Sequence, residues 1–173
     1  IIASDKPHGD IEVAFSVCEE AGVIGSSYYD FNNFTAKKAF VFDVPGHIGK
    51  IVLQAPSKAK LTYKIYGKSA HAGNEPEKGI NAIKAAAALI MKIPDSRITP
   101  FTTTNISTIH AGTNATNVVC DYAEILAEAR STDNTEFDAV LEKFAAPVAQ
   151  IEKEYGVKIE YTPAVLYRTG KSD

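Results

Sequence analysis

The stretch that most constrains the fold runs from Leu61 to Ile90, LTYKIYGKSAHAGNEPEKGINAIKAAAALI. Leu61, Tyr63 and Ile65 alternate with Thr62, Lys64 and Tyr66, the period of a half-buried strand. Ile80, Ile83, Ala87 and Ile90 then recur at helical spacing in an alanine-rich run. A strand therefore hands over to a helix across one short loop, and His71 sits on it. Gly67 and Gly73 free the backbone on either side of this histidine, and Pro76 with Gly79 delay the helix until the loop has turned. A histidine placed there can offer a ring N–H to something outside its own domain. The alternative is a surface-loop histidine without a task, since loops are polar by default.

Downstream the pattern is self-contained. The strand Ala59 to Tyr66 and the helix Gly79 to Lys92, stopped by Pro94, precede a threonine-rich strand from Thr102 to His110 and a loop from Gly112 to Asn117. Ala123, Ile125, Ala127 and Ala129 alternate with Tyr122, Glu124, Leu126, Glu128 and Arg130, a third strand whose small-residue face suits a close-packed helix. Thr135 with Asp138 resembles a capping box, and Phe137, Val140, Leu141, Phe144, Val148 and Ile151 form an apolar stripe. Pro147 falls inside that stripe, where a continuous helix would lose about 3 kcal/mol, so a kink or a new first turn is expected. Val157, Ile159 and Tyr161 alternate in a last strand after Gly156. The order βαββαβ predicts a ferredoxin-like α+β domain, an antiparallel sheet with two helices on one face.

Before Ala55-Pro56-Ser57 the reading differs. Gly9 to Val17 reads as a strand delivering Cys18-Glu19-Glu20 at its end, and Val23 to Asp30 as a short helix. Ala39 to Phe42 is an unbroken apolar run of the doubly buried kind, ending on Asp43, and Ile48 to Gln54 is a further strand. About three strands and one helix cannot cover both faces of an α/β sheet. Residues 1–57 are therefore expected to be a fragment of an α/β catalytic domain, 58–165 a complete βαββαβ domain, and 166–173 a return segment. The start at Ile1 without a methionine agrees with a piece of a longer protein.

Composition excludes several classes. A net charge of -3 carries no nucleic-acid footprint, and no apolar run approaches the ~18 residues of a membrane span. Cys18 and Cys120 match no metal-finger spacing, which fits reduced thiols in a cytoplasmic protein. Glu19-Glu20 is ambiguous by itself. Adjacent carboxylates point apart, so one can ligate a cation while the other reaches a water, yet ordinary solvated charge has the same look. Both this pair and Asp43 close apolar strand patterns, where a bare carboxylate is expensive without a cation or hydrogen bonds.

Pro7-His8-Gly9-Asp10-Ile11-Glu12-Val13-Ala14-Phe15, Cys18-Glu19-Glu20-Ala21-Gly22, Asp43, Gly67-Lys68-Ser69-Ala70-His71-Ala72-Gly73, Gly79-Ile80-Asn81-Ala82-Ile83, Asn117 and Glu128-Ala129-Arg130-Ser131 occur in this order. Together they resemble the M20 metallopeptidases, most closely the peptidase T-like branch. The resemblance implies a pair of divalent metal ions, zinc in most members, in the α/β domain, and a lid that forms a homodimer. It implies Glu19 as general base, Glu20 and Asp43 as metal ligands, and His71 as an oxyanion donor, commonly from the partner's lid. It further implies Asn117 and Arg130 as holders of the substrate carboxylate. Arginine has the planar fork for that task, though pairing with Glu128 or Glu124 is the alternative. Asn117 is otherwise a turn residue, and Asn114 rivals it because the loop runs one residue long. Cys18 stands where members often carry Asp. The family's His-x-Asp motif, bridging carboxylate and last metal-binding histidine are expected outside this segment, and His8 and His47 match none of them. The expected activity is hydrolysis of small peptides by the intact protein, the segment alone being inactive. An amidohydrolase of N-acyl amino acids and a non-catalytic dimerisation or binding module are the alternatives.

Overall fold

The computed structural model describes residues 5–20 and 22–171, so the termini and Ala21 of the Glu19-Glu20 motif lie outside it. The chain divides into two compact units, Ile1–Val52 and Leu53–Asp173.

The second unit is an α+β domain built on one antiparallel sheet. Its strands are β1 (Ser57–Tyr66), β2 (Ser96–Arg97), β3 (Thr102–Ala111), β4 (Tyr122–Ser131) and β5 (Lys158–Tyr167), in the spatial order β2-β3-β4-β1-β5. The helices are α1 (Ala82–Ile90), α2 (Asn134–Ala145) and α3 (Val148–Tyr155). The expected second helix is therefore two. Pro147 is the N-cap of α3, where its missing N–H leaves no helical bond unmade.

Register explains the core. Ala59, Leu61, Tyr63 and Ile65 of β1 stand opposite Ala129, Ala127, Ile125 and Ala123 of β4, so large side chains mostly meet small ones on the helix-facing side. All eight are buried, and each fully buried Leu, Ile or Tyr-sized group contributes on the order of 1.5–3 kcal/mol. Tyr63 stacks on Tyr161 at 4.8 Å and donates its hydroxyl to Phe144 O at 2.8 Å. Burial pushes the Tyr161 phenol up to about 12 and the Tyr63 phenol higher still.

The helix α1 is rotated from its sequence stripe, with Ile90 and the preceding Ile80 only partly buried against the core. Ala82, Ala85, Ala86 and Leu89 are its buried positions, while Ile83 is 43% exposed. Alanine lets the helix axis approach the alanine-lined β4 closely, and that gain outweighs burying the bulkier isoleucines. Asn81 caps the helix by accepting from the amides of Ile83 and Lys84. In α2 the cap is Asp133, accepting from Glu136 N at 2.8 Å, two residues before the expected Thr135. Glu136 is drawn away by the hydroxyls of Thr99 and Thr102.

The first unit holds only two 3₁₀ turns, Ile24–Tyr28 and Phe31–Asn33, among its described residues. The strands expected at 9–17, 39–42 and 48–54 do not form there, and the helix expected at 23–30 is one 3₁₀ turn running into the next. A strand needs a neighbour to take its N–H and C=O groups, and among the described residues these stretches find none beyond the isolated Gln54–Lys171 bridge. The apolar run instead lies open, with Phe42 at 92% exposure. No helix of the described residues is long and apolar enough to cross a membrane.

Candidate functional site

His71 is presented by a closed loop. Where β1 ends, the chain makes an excursion whose neck is shut by Lys68 N donating to Ile80 O at 2.9 Å and Ile80 N to Lys68 O at 2.8 Å. The crossing is so close that a Cβ on Gly67 would lie 2.1 Å from Ile80 O, so only glycine fits. The tip then docks on the segment before β4. Val119 N donates to Ala70 O at 2.9 Å, Ala72 N donates to Asn117 O at 2.8 Å, and His71 pairs with Val118 in an isolated antiparallel bridge. Two loops far apart in sequence thus hold His71 and Asn117 side by side, both exposed. Nδ1 of His71 accepts from the amides of Gly73 (3.1 Å) and Asn74 (3.2 Å). Asn114 lies in a bend of the same loop as Asn117.

Arg130 lies at the other end of the sheet. It stands opposite Lys58, whereas the His71 loop begins beyond the Tyr66–Tyr122 pair. Eight residue steps at ~3.3 Å separate those rungs by roughly 26 Å. Arg130 grips Glu128 through Nε (2.8 Å) and Nη2 (3.4 Å), which raises its pKa further and keeps the guanidinium charged. Lys58 approaches the same carboxylate at 3.8 Å. This half-exposed cluster sits where both crossing segments are tied together. Thr169 N donates to Ser57 Oγ at 2.7 Å, Ser57 Oγ to Asn134 Oδ1 at 3.0 Å, and Gln54 Nε2 to Thr132 O at 2.7 Å.

In the first unit Glu19, Glu20 and Asp43 are exposed. Glu19 O accepts from the amides of Gly22 and Val23, which folds the chain sharply after the pair. Cys18 and Val23, neither a glycine, bracket it in left-handed backbone at φ 57° and 58°. Glu20 and Asp43 offer the hard oxygens a divalent cation takes. Among the described residues, however, no group of three His, Cys, Asp or Glu side chains converges on one point. Two carboxylates fall short of the four ligands of a typical zinc site. The described residues alone therefore do not make a metal centre. Sequence reasoning missed the two amides that engage His71 and the Asn117 contact, because both depend on main-chain groups placed by loop geometry. Only the glycines bracketing the histidine pointed toward them.

Residues 57–156 match the peptidase dimerisation domain of the M20 family. The uncharacterized protein YqjE of Bacillus subtilis is 42% identical over 160 residues, covering 92% of this chain and 43% of its own length. The crystal structure of aminopeptidase PepT from Bacillus cereus superposes with a TM-score of 0.82 at 40% identity, covering 91% of this chain and 42% of its own. A tripeptidase from Staphylococcus aureus reaches 0.85 at 32% identity with the same coverages. The chain thus spans less than half the length of the relatives it matches. With a domain match over more than half its residues and the same fold as these peptidases, the chain belongs to the M20 peptidase family.

Proposed function

We propose that this chain is the lid and a portion of the catalytic domain of a dinuclear-metal peptidase that hydrolyses small peptides in the cytoplasm. The observation that carries the reading is the likeness, over 91% of the chain, to an aminopeptidase and a tripeptidase. In the intact protein Glu20 and Asp43 each contribute a ligand to a pair of divalent ions, zinc by family resemblance. Bound metal supplies Lewis-acid polarisation of the scissile carbonyl. The chain's own residues supply the rest. Glu19 takes a proton from the attacking water and passes it to the leaving amine. His71 donates to the oxygen that gains charge, and Asn117 and Arg130 hold the substrate's carboxylate end.

The spacing within the lid bears on how these groups meet. One lid offers His71 and Asn117 at one end of its sheet and Arg130 at the other, roughly 26 Å away on ~3.3 Å per residue. A two-fold dimer in which one subunit gives Arg130 and its partner gives His71 brings all of them to one substrate. The surface for such a dimer is the outward side of α1, with Ile83 and Met91, next to the edge of β3. That edge is covered by β2 only at Thr103 and Thr104 and by Asp95 at Ile106 N. The opposite edge, β5, carries Pro163, which has no N–H to give a further strand.

The test is to assay the intact protein on tripeptides and on N-acyl amino acids. The proposal expects tripeptide hydrolysis that requires a free α-amino group, stops on chelation and returns with added divalent metal. Turnover of N-acyl amino acids in its place would favour the amidohydrolase.

A further inference from the structure

The ring of His71 is held by two backbone N–H groups, those of Gly73 and Asn74. Nδ1 lies 3.1 Å from Gly73 N and 3.2 Å from Asn74 N, and both nitrogens are donors. An imidazole nitrogen facing two N–H groups must accept, so it carries no proton of its own. The ring proton then sits on Nε2, the outer nitrogen, which has no partner among the described residues. His8 shows the reverse arrangement. Its Nδ1 lies 2.7 Å from Gly9 O, a carbonyl that can only accept, and the proton there belongs on Nδ1.

The loop is built to keep this geometry. The Lys68–Ile80 neck and the bridge to Val118 fix the backbone of residue 71. Gly73 lies within van der Waals reach of the ring, since a Cβ there would meet His71 Cε1 at 3.4 Å and Nδ1 at 3.6 Å. The Asn74 amide also lies 3.2 Å from His71 O, so the turn is anchored to the same residue by its main chain.

We infer that the backbone amides of Gly73 and Asn74 are positioning groups that hold His71 as a single tautomer, an outward Nε2–H donor preset for a carbonyl oxygen or oxyanion. The inference rests on the proposed peptidase function for the identity of the acceptor but not for the tautomer. A donor whose proton is already in place needs no reorganisation when charge develops on the substrate oxygen. A side chain free to exchange tautomers would present its lone pair to that oxygen for part of the time.

Two measurements test this separately. Nitrogen-15 NMR of the imidazole rings in the labelled full chain, with His71→Gln to assign the signal, reads the tautomer directly at neutral pH. The expected result is a His71 ring at the single-tautomer limit, pyridine-type at Nδ1 and pyrrole-type at Nε2. His110 lacks amide partners among the described residues and should show averaged shifts. An averaged, doubly protonated or Nδ1–H ring at His71 overturns the inference whatever the enzyme does. In the full-length protein, glutamine at position 71 places an amide donor near the Nε2 position and asparagine near Nδ1. The inference expects His71→Gln to retain at least about tenfold more turnover than His71→Asn, with equal dimer mass. Equal losses in both overturn the assignment of Nε2 as the donor. Full activity in both removes the proposed role of His71 in peptide hydrolysis and leaves the tautomer result standing.

Discussion

The two units of this chain carry the same kind of pattern and come out differently. Ile11, Val13, Phe15 and Val17 alternate as cleanly as Leu61, Tyr63 and Ile65, yet the first set is exposed and strandless while the second is buried on an interior strand of a five-stranded sheet. Not one described residue between 5 and 52 is buried. Alternation shows which face a strand would bury. It cannot supply the neighbouring strands that satisfy the backbone, and β1 has two of them, β4 and β5.

The sharpest way to break this comparison is through core deletions on each side. Phe137 is fully buried and Phe42 is 92% exposed. Phe137→Ala should destabilise the lid by about 3–5 kcal/mol in denaturant melts, and Phe42→Ala in the same chain by less than about 0.5 kcal/mol. Equal effects would mean that the first unit has a core of its own. The next contrast is chemical and uses the intact protein. Glu19→Gln keeps shape but cannot accept a proton, so turnover should fall ~10²-fold or more with metal content unchanged. Glu20→Gln should lower metal content by elemental analysis, and identical metal loss in both would contradict the roles assigned to the pair.

Why the lid was legible and its neighbour was not follows from the same contrast. The strand expected at Ala59–Tyr66 forms as Ser57–Tyr66, that at Thr102–His110 as Thr102–Ala111, and that at 122–130 as Tyr122–Ser131. Each had its partners within the chain, so local alternation and long-range pairing agreed. The stripe on α1 was misread for a packing reason. Periodicity finds bulky apolar residues, but at Ala82, Ala85 and Ala86 it is small size that allows the close approach. The two-residue β2 was too short to leave a pattern. At the site, the glycine-bracketed His71 was readable, while its docking against Asn117 joins distant loops through main-chain bonds that no side-chain type records.

Smaller effects refine the lid. Asn81 holds two amides of α1, and Asn81→Ala should cost about 1 kcal/mol of lid stability by thermal or denaturant melting. No change would mean that the cap is dispensable beside the helix's packing. The smallest effect is a pH dependence at an exposed pair. The Tyr66 hydroxyl, donating to Glu160 at 3.0 Å, is the first cause holding that carboxyl below its ordinary 4.5, with Lys158 assisting. A depressed folded pKa means stabilisation present above the ordinary value and lost as pH falls through the folded one. NMR titration should show Glu160 moving up toward 4.5 in Tyr66→Phe, and an unmoved midpoint would assign the effect to Lys158.

Whether the lid of one subunit completes its partner's site is decided by mixing two inactive subunits. A full-length His71→Ala subunit keeps Glu19, and a Glu19→Gln subunit keeps His71. If His71 is donated across the dimer, half of a freely exchanged equal mixture is heterodimer, and one of the two sites in each is whole. Recovery of about a quarter of wild-type activity is then expected from two-fold symmetry. Mixtures shown by mass spectrometry to have exchanged, yet no more active than either parent, would contradict donation between subunits.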